Sequence, residues 1–416
     1  MFSYFAVYIK KALLPGFAIG IILIGFSACI SPNSAQNLSL SPVRIGFSVS
    51  LTGTYSAQGK ALVQGFDLWR DAVNKGNGLL GHPVEFVSLD DGSIPKNVTS
   101  NYQKLITIDH VDFLFGPYSS LLALPAAVVA NKYHYPLFAP TGSAPTIFNK
   151  HFNNVFVMTL PSQLYLQSFS EYILTLPQGM APKTAAYVSV NNPFTKPQVN
   201  SAMTILAGNG VQTVYNPDPY PASGANIAAL AQQIVNAHPD IVVLGTSGLT
   251  DCISFIKTFK QQHYNPQAVI ATSGPDEGAD FLTQLGKNTA EGVFVPNPGW
   301  YPGGPTYQNA QFVQSYLATY GGTDQDISAT TSEAYSAGQL LEQAVNKIHN
   351  FNNANIIQEL HAVAFNTLQG PMKFDANGAN NLGIPYLFQW QQGVLIPVYP
   401  DSQAQANPEY PKTPWA

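Results

Sequence analysis

Hydroxyl side chains follow two neighbouring strands of the predicted fold, at the point where each strand ends. The apolar run Asp112–Phe115 is followed by Ser119 and Ser120 just before a helix, and the next strand is followed by Thr141 and Ser143. Open α/β sheets bind ligands at the carboxyl ends of their strands, beside helix N-termini, so these hydroxyls and the amides near them are expected to lie together. Such donors suit a carboxylate. The alternative is that the four residues only cap helices and form turns.

Two enzyme motifs occur, but each lies in the wrong context. The segment Gly76-Asn77-Gly78-Leu79-Leu80-Gly81 matches the dinucleotide-binding pattern G-x-G-x-x-G. That pattern must follow a strand and open a helix, whereas here it follows a predicted helix and leads into a strand. Ser254 and Lys257 match S-x-x-K in the middle of a helix, and the eight histidines have no metal-ligand spacing. We therefore expect no catalytic site, no cofactor and no metal.

The chain carries few charges for its length. Its 416 residues predict two or three domains, and 45% of them are hydrophobic, which is enough for a sizeable core. Charged residues make up 10%, and the net charge is −5. A protein that binds nucleic acid needs a basic surface, so the composition argues against that class. The low charge fits an acidic exterior, where ion pairs fail, or compositional drift in an exported protein.

The N-terminus has the pattern of an export signal. Two lysines precede the uncharged apolar run Ala12–Ala28, which ends in small residues. Together with Cys29, the end of this run is similar to the lipobox of bacterial lipoproteins, and this resemblance implies that Cys29 is lipidated. An uncleaved signal anchor is the alternative. We expect residues 1–28 to be a signal peptide and residues 29–42 a flexible tether, so that Cys252, the remaining cysteine, has no disulfide partner.

Beyond the tether the pattern alternates between strands and helices. Buried-strand patterns such as Val43–Ser50 and Ile241–Leu244 alternate with amphipathic stretches, and the alternation runs twice. It therefore predicts two α/β lobes with parallel sheets and right-handed crossovers. A closing hairpin is predicted over Tyr386–Gln391 and Val394–Val398. The Pro-, Gln- and Asn-rich tail, residues 401–416, is predicted to be disordered.

Four stretches carry a family pattern: IGFSVSLTGTYSAQGKALVQGFDLW (45–69), FLFGPYSSLLALPAAVVANKYHYPLFAPTGSAP (113–145), AEGVFV (290–295) and GPMKFDANG (370–378). In this order and spacing they resemble the periplasmic branched-chain amino acid-binding protein family, the receptors of ATP-driven amino acid importers. The resemblance implies the type I periplasmic binding protein fold, an α/β fold. Two doubly wound parallel-sheet lobes are joined by three crossover segments, and the ligand lies in the cleft between the lobes.

The same resemblance implies how the chain is divided. Residues 43–160 and 299–376 are expected to form lobe one, and residues 161–298 and 377–400 are expected to form lobe two. In the family, the positions that match the four hydroxyl residues named above, in the loops after the two lobe-one strands, contact the α-carboxylate of the ligand. The resemblance therefore implies that these residues bind a carboxylate, which is the same group that the hydroxyl and amide donors suggest.

Lobe two is expected to supply an acid for the ligand's α-ammonium group. The family's acid follows a Gly-Pro after a lobe-two strand, and Asp276 stands at that position, one carbon shorter than the usual glutamate. Glu277 is the second candidate, and a solvated acidic turn is the alternative. Phe194 matches a place where an aromatic residue closes over the ligand. Ser247 replaces an aromatic residue that is usual in the family.

Aromatic residues are also expected near the cleft, namely Tyr118, Phe194, Trp300 and Tyr301. Such a lining favours a ligand with an apolar or aromatic side chain, although each residue could equally pack in a lobe core. Hydrophobic or aromatic amino acids are therefore the first expectation, and small amides or carboxylates the second.

Together these observations predict a monomeric, lipid-anchored, extracytoplasmic receptor that has no catalytic activity. Its closed, ligand-bound form is expected to dock on the permease of an ABC importer. A ligand sensor on the same scaffold that signals to a regulator is the first alternative. An extracytoplasmic enzyme is the second, and the missing nucleophile and base argue against it.

Overall fold

The structure is a computed structural model that describes residues 40–297 and 299–415, with only the backbone of Asn297 described. Within these residues the strands are, in chain order, β1 Val43–Val49, β2 Val84–Asp90, β3 Phe113–Phe115, β4 Leu137–Ala139, β5 Val155–Val157, β6 Thr184–Ser189, β7 Gln212–Tyr215, β8 Ile241–Gly245, β9 Ala268–Ala271, β10 Phe294–Asn297, β11 Phe365–Thr367, β12 Gly370–Met372, β13 Tyr386–Gln391 and β14 Val394–Tyr399.

Helices connect almost every pair of successive strands. In chain order they are α1 Ser56–Lys75, α2 Pro95–Thr107, α3 Ser120–Lys132, α4 Pro145–Phe148, α5 Gln167–Thr175, α6 Thr195–Gly208, α7 Ile227–Ala237, α8 Leu249–Gln261, α9 Gly278–Leu285, α10 Lys287–Ala290, α11 Asn309–Tyr320, α12 Ala329–Ile348 and α13 Asn353–Ala362. The strand–helix alternation predicted from the sequence is therefore present in both halves of the chain.

Lobe one is built on a five-stranded sheet with the order β2-β1-β3-β4-β5, in which all neighbouring strands are parallel. One apolar cluster lies between this sheet and helices α1, α11, α12 and α13. A second cluster lies on the opposite face, against α2 and α3. Because helices cover both faces, the central strands consist almost entirely of apolar residues, as the sequence pattern indicated.

Lobe two is built on a seven-stranded sheet with the order β14-β13-β10-β9-β8-β6-β7. Strands β6 to β10 pair in parallel, whereas β13 is antiparallel to both β10 and β14. The predicted closing hairpin is confirmed, with β14 extending to Tyr399. The chain passes between the lobes three times, after β5, after β10 and after β12. The fold is thus two doubly wound α/β lobes joined by three crossover segments, as predicted.

Helices α1 and α12 of lobe one pack closely because glycines face the partner helix. A Cβ on Gly65 would lie 2.1 Å from the carbonyl oxygen of Thr331, and a Cβ on Gly338 would lie 2.1 Å from the ring of Trp69. Only glycine allows the two helix backbones to approach this far. The contact holds the first turns of α12 in a defined place, at the edge of the cleft between the lobes.

The C-terminal tail is ordered, so the prediction of disorder is wrong for residues 401–415. The buried amide of Gln389 donates to the carbonyl of Glu409 at 2.9 Å, and the Glu409 N–H donates back to its side-chain oxygen at 2.7 Å. Lys412 is only 2% exposed, and the Trp415 ring stacks on Phe259 of lobe two. The polar composition of the tail predicted disorder, but hydrogen bonds to buried residues of lobe two hold the tail in place.

Cys29 and the predicted signal peptide lie outside the described residues, as does most of the predicted tether. Among the residues that are described, no helix combines the length and the apolar character needed to cross a membrane. The predicted export and lipidation of the chain therefore stay predictions.

Candidate ligand site

A cleft opens between the two lobes at the carboxyl ends of both sheets. Loops that follow β3, β4, β6, β8 and β9 line it, and the space between its walls is about 900 Å³ when the open mouth is included. This size suits a small-molecule ligand. The predicted ligand residues that line it are Tyr118, Ser119, Ser120, Thr141 and Ser143 from lobe one and Phe194, Ser247 and Asp276 from lobe two. Trp300 does not line it.

The loop before α3 presents Ser119 to the cleft in an uncommon conformation. Ser119 caps the N-terminus of α3 with φ +70°, a value that few residues other than glycine adopt. Its N–H donates to Oγ1 of Thr141 at 2.9 Å, and this hydroxyl donates to the carbonyl of Pro117. The side-chain oxygen of Ser119 is buried and forms no hydrogen bond of standard geometry among the described residues, although the hydroxyl of Tyr55 lies beside it and interacts with it. A strained backbone and a free hydroxyl at a helix N-terminus are both typical of ligand sites.

The four hydroxyl residues that were predicted to bind the ligand's carboxylate have two different roles in the structure. Oγ of Ser120 accepts the Ala144 N–H at 3.1 Å, so Ser120 and Thr141 both join the loop after β3 to the loop after β4. Ser143 is 1% exposed, and its hydroxyl, like that of Ser119, forms no hydrogen bond of standard geometry among the residues described, although it lies beside the hydroxyl of Tyr165 and interacts with it. The structure therefore leaves Ser119 and Ser143 free to donate to a ligand, while Thr141 holds the loops in position.

Lobe two presents Asp276 on a tight turn after β9. Gly274 begins this turn with φ +111°, and its N–H donates to Oδ1 of Asp276 at 2.7 Å. A Cβ at Gly274 would lie 2.9 Å from Cβ of Cys252, so the turn requires glycine. Asp276 is an exposed residue that water in the cleft reaches, yet protein surrounds it on both sides. This partial desolvation raises the pKa of its carboxyl, against the effect of the bond from Gly274.

Glu277, the second candidate for the acid, does not line the same space. It begins α9 and lines an adjoining depression together with Asp276, Asp280 and Asp326. Burial, followed by the charges of Asp276 and Asp280, raises the pKa of Glu277 to about 7. Asp276 is therefore the acid that faces the free hydroxyls of lobe one, and the depression beside it is acidic.

Aromatic rings close the side of the cleft. Phe194 is half-buried and packs edge-on against Tyr165 with 5.3 Å between the ring centroids. Tyr118 packs against Tyr55 at 5.5 Å. Tyr165 and Tyr55 were not predicted from the sequence, because nothing local distinguishes them from core tyrosines. Ser247 lines the cleft on the lobe-two side, where it leaves room that a ring would fill.

Trp300 and Tyr301 border a depression that also includes Asp276, but they do not line the cleft itself, and the alternative that each packs in a lobe core describes them better. Trp300 is 3% exposed, its indole N–H donates to Oδ1 of Asn309 at 2.8 Å, and its ring packs edge-on against Phe312 in the core of lobe one. Tyr301 packs against Phe388 in the core of lobe two. Aromatic residues next to a crossover segment can pack in a core or contact a ligand, and both of these side chains are buried in a core.

Sequence reasoning missed an acid that the structure places in the cleft wall. Glu333 comes from the second turn of α12 in lobe one, is 7% exposed and lines the same space as Asp276. Burial first, and the charge of Asp276 second, raise the pKa of Glu333 well above its usual range. The one available signal was an acid within an otherwise small and apolar helical stretch.

The two enzyme motifs of the sequence lie in structural elements of the fold. In the described part of the chain no group of histidines, cysteines and acids has the geometry of a metal site. Gly76–Gly81 lies in the turn between α1 and β2, and the hydroxyl of Ser254 donates within α8 to the carbonyl of Thr250, so both enzyme motifs are structural. Cys252 is fully buried, and burial raises the pKa of its thiol well above its usual range, which makes it inert.

A fold of two α/β lobes, with hydroxyl side chains on one wall of the cleft between them and an acid on the other, is that of the type I periplasmic binding class. The chain belongs to the periplasmic binding protein family, which it matches over residues 42–394. Proteins of this family are substrate-binding proteins and not enzymes, and they work outside the cytoplasm.

Curated relatives agree with this assignment over nearly the whole chain. A Leu/Ile/Val-binding protein homolog 7 from Brucella melitensis is 24% identical over 89% of this chain and 94% of its own length. A Leu/Ile/Val-binding protein homolog 8 from Brucella suis is 25% identical over 94% of this chain and 99% of its own.

Solved structures show the same fold. A putative branched-chain amino acid ABC transporter protein from Silicibacter pomeroyi has a TM-score of 0.77 at 18% identity, covering 90% of this chain and 100% of its own. LivJ from Streptococcus pneumoniae, solved in complex with isoleucine, has a TM-score of 0.73 at 18% identity, covering 85% of this chain and 98% of its own. A solute-binding protein from R. palustris, solved in complex with benzoate, has a TM-score of 0.73 at 19% identity, covering 90% of this chain and 98% of its own.

Proposed function

We propose that this protein is the amino acid receptor of an ABC importer. The observation that carries the proposal is the position of two free hydroxyls, Ser119 and Ser143, beside the N-terminus of α3 on one wall of the cleft, with Asp276 on the other. The hydroxyls and the helix amides suit an α-carboxylate, and the acid suits an α-ammonium. The relatives named for leucine, isoleucine and valine support the same ligand class.

The ligand's side chain is expected to have an aliphatic part. Phe194, Pro193 and Leu121 supply apolar surface in the cleft wall, and burying an aliphatic chain against them favours binding. An amino acid that contacts both lobes at once stabilises their closed arrangement, because it binds that arrangement better than the open one. The closed form then docks on the permease. The protein is expected to act as a monomer.

The anchor is proposed from the sequence. The apolar run Ala12–Ala28 followed by Cys29 supports export and lipidation at that cysteine, with residues up to 42 as the tether to the first strand. A lipid-anchored receptor stays close to a membrane permease, which raises its effective concentration there.

A thermal-shift screen of the twenty amino acids and a set of small carboxylates tests the function. A ligand that binds only the folded protein raises its melting temperature, and small-angle scattering with that ligand should show a smaller radius of gyration. Amino acids should give the largest shifts. If only carboxylates without an amino group bind, the protein is not an amino acid receptor, and an unchanged radius of gyration at saturation contradicts closure.

A further inference from the structure

Glu333 is the least satisfied charged group of the cleft. It is 7% exposed, and its carboxyl accepts no hydrogen bond from any described residue. Farther along the same helix, Glu342 is also partly buried, but its carboxylate accepts the indole N–H of Trp69 at 3.2 Å. The carboxyl oxygens of Glu333 are not among the fully buried unpaired atoms, so they open onto the cleft, and a carboxyl held there without a protein partner is available to bind a ligand atom.

The geometry of α12 directs Glu333 into the cleft. Ala329 and Thr330, four and three residues before it on the same helix face, line the same space. The close packing of α12 on α1 at Gly65 prevents this part of the helix from moving away. The carboxyl is therefore held in the cleft wall of lobe one.

The two acids of the cleft have no positive partner in its lining among the described residues. Asp276 and Glu333 line it from opposite lobes, and no Lys, Arg or His among the described residues lines it. The adjoining depression adds Glu277, Asp280 and Asp326, again with no basic residue described there. The α-ammonium of one amino acid compensates a single acid, and its α-carboxylate is occupied with the hydroxyls beside α3. Burial raises the pKa of Glu333 because its ionised form has no positive partner in the free protein, so this second acid is suited to a second positive charge on the ligand.

We infer that Glu333 determines specificity, and that the ligand is an amino acid whose aliphatic side chain ends in a cationic nitrogen group. The inference rests on the proposed function and extends it to the side chain. The methylene groups of such a ligand pack on Phe194 and Leu121, and its terminal cation binds Glu333. A purely apolar side chain would leave Glu333 buried and unpaired.

Two matched ligand pairs test the inference by titration calorimetry. Ornithine and norleucine have the same chain length and differ in a terminal ammonium or methyl group, as do 2,4-diaminobutyrate and norvaline. In at least one pair, the cationic member should bind wild-type protein about tenfold or more tightly than its partner. Glu333→Gln keeps the shape of the side chain and should weaken the cationic member about tenfold to hundredfold, while norleucine changes little.

Controls separate this inference from the function itself. Glu342→Gln removes an acid from the same helix outside the cleft and should leave the preference unchanged. Tighter binding of norleucine and norvaline than of their cationic partners overturns the inference and leaves the amino acid receptor intact. Tighter binding of glutamine than of ornithine, unaffected by Glu333→Gln, also overturns it, in favour of a neutral amide. If neither these amino acids nor any of the twenty in the thermal-shift screen binds, the proposed function itself is wrong.

Discussion

The backbone N–H of Ser119 donates to the side-chain oxygen of Thr141 at 2.9 Å, across the two loops that form the carboxylate side of the cleft. This bond holds Ser119 at φ +70°, where its own hydroxyl faces the ligand space without a hydrogen bond of standard geometry. Thr141 thus positions the site, whereas Ser119 and Ser143 are the residues that can contact a ligand. The two roles have opposite effects on stability and can be separated by substitution.

Ser143→Ala is expected to weaken ligand binding without destabilising the protein. The Ser143 hydroxyl is buried and forms no hydrogen bond of standard geometry in the free protein, and its one polar neighbour, the hydroxyl of Tyr165, also interacts with Thr159, so its removal should cost little stability. A ligand carboxylate, however, loses a charge-assisted hydrogen bond, which costs about tenfold to hundredfold in affinity. Calorimetry gives the affinity and urea unfolding gives the stability. A loss of stability together with binding would show that Ser143 is structural.

Thr141→Val is the matched contrast, because the hydroxyl lost there is already paired. The Ser119 N–H and the Pro117 carbonyl both lose their partner, and leaving a buried donor unpaired lowers the free energy of unfolding by about 1–3 kcal/mol. Affinity should fall as well, since Ser119 is no longer held. Equal stability of Thr141→Val and wild type would contradict the positioning role.

Asp276→Asn should separate amino acids from simple carboxylates. Asp276 faces the α-ammonium in the proposed complex, so the substitution should weaken leucine by about tenfold to hundredfold. It should leave 4-methylpentanoate, the same molecule without its amino group, nearly unchanged. Glu277→Gln serves as the control, because Glu277 lines the depression beside the cleft and not the cleft itself. A larger loss of leucine affinity in Glu277→Gln than in Asp276→Asn would show that Glu277, and not Asp276, contacts the ammonium group.

The stability of the ligand-free protein should fall as the pH rises from about 4.5 to about 7. The Glu277 pKa is raised in the folded protein from 4.5 to about 7, mainly by burial and then by Asp276 and Asp280, so the folded state binds its proton more tightly than the unfolded state does. The resulting stabilisation is complete below the unfolded pKa and is lost as the pH passes the folded one.

Glu277→Gln should flatten this part of the pH profile in urea unfolding experiments. Glu85→Gln, at an exposed position of β2, is the control and should keep the wild-type slope. Parallel profiles for wild type and Glu277→Gln would show that Glu277 titrates normally in the folded protein.

Cys29→Ala should release the protein from membranes or leave it unprocessed, because the substitution removes the sulfur that carries the lipid. Fractionation and gel mobility measure both outcomes. Cys252→Ala is the control, since its thiol is fully buried in lobe two and should not affect location. Identical fractionation and mobility of Cys29→Ala and wild type would rule out the lipid anchor.

Removing residues 402–416 should lower the free energy of unfolding by about 2 kcal/mol, because the bonds between Gln389 and Glu409, the bond from Tyr410 to Gln267 and the stacking of Trp415 on Phe259 are lost, while Gln389 keeps Gly292 and Gln391 as partners. Urea unfolding measures this loss. Ser402→Ala, at an exposed tail position, should behave as wild type. A truncated protein as stable as the full chain would mean that the tail contacts contribute nothing to folding.

The sequence by itself determined the two α/β lobes, the closing hairpin and the loops that carry Ser119, Ser143 and Asp276. These features are local, because strand and helix periodicity and the residues that follow a strand end are read within short windows. A parallel sheet then brings its strand ends to one edge, so the loops after β3 and β4 were expected to meet, and they do.

Only the tertiary structure decided which of these side chains are already hydrogen-bonded and which further residues line the cleft. Thr141 is held by Ser119 and Pro117, Trp300 lies in a core, and Glu333 enters the cleft from a helix more than fifty residues after Asp276. The ordered tail depends likewise on Gln389, far from most of its neighbours in sequence. Hydrogen-bond saturation and burial are properties of contacts between distant segments, and no local pattern of residue types contains them.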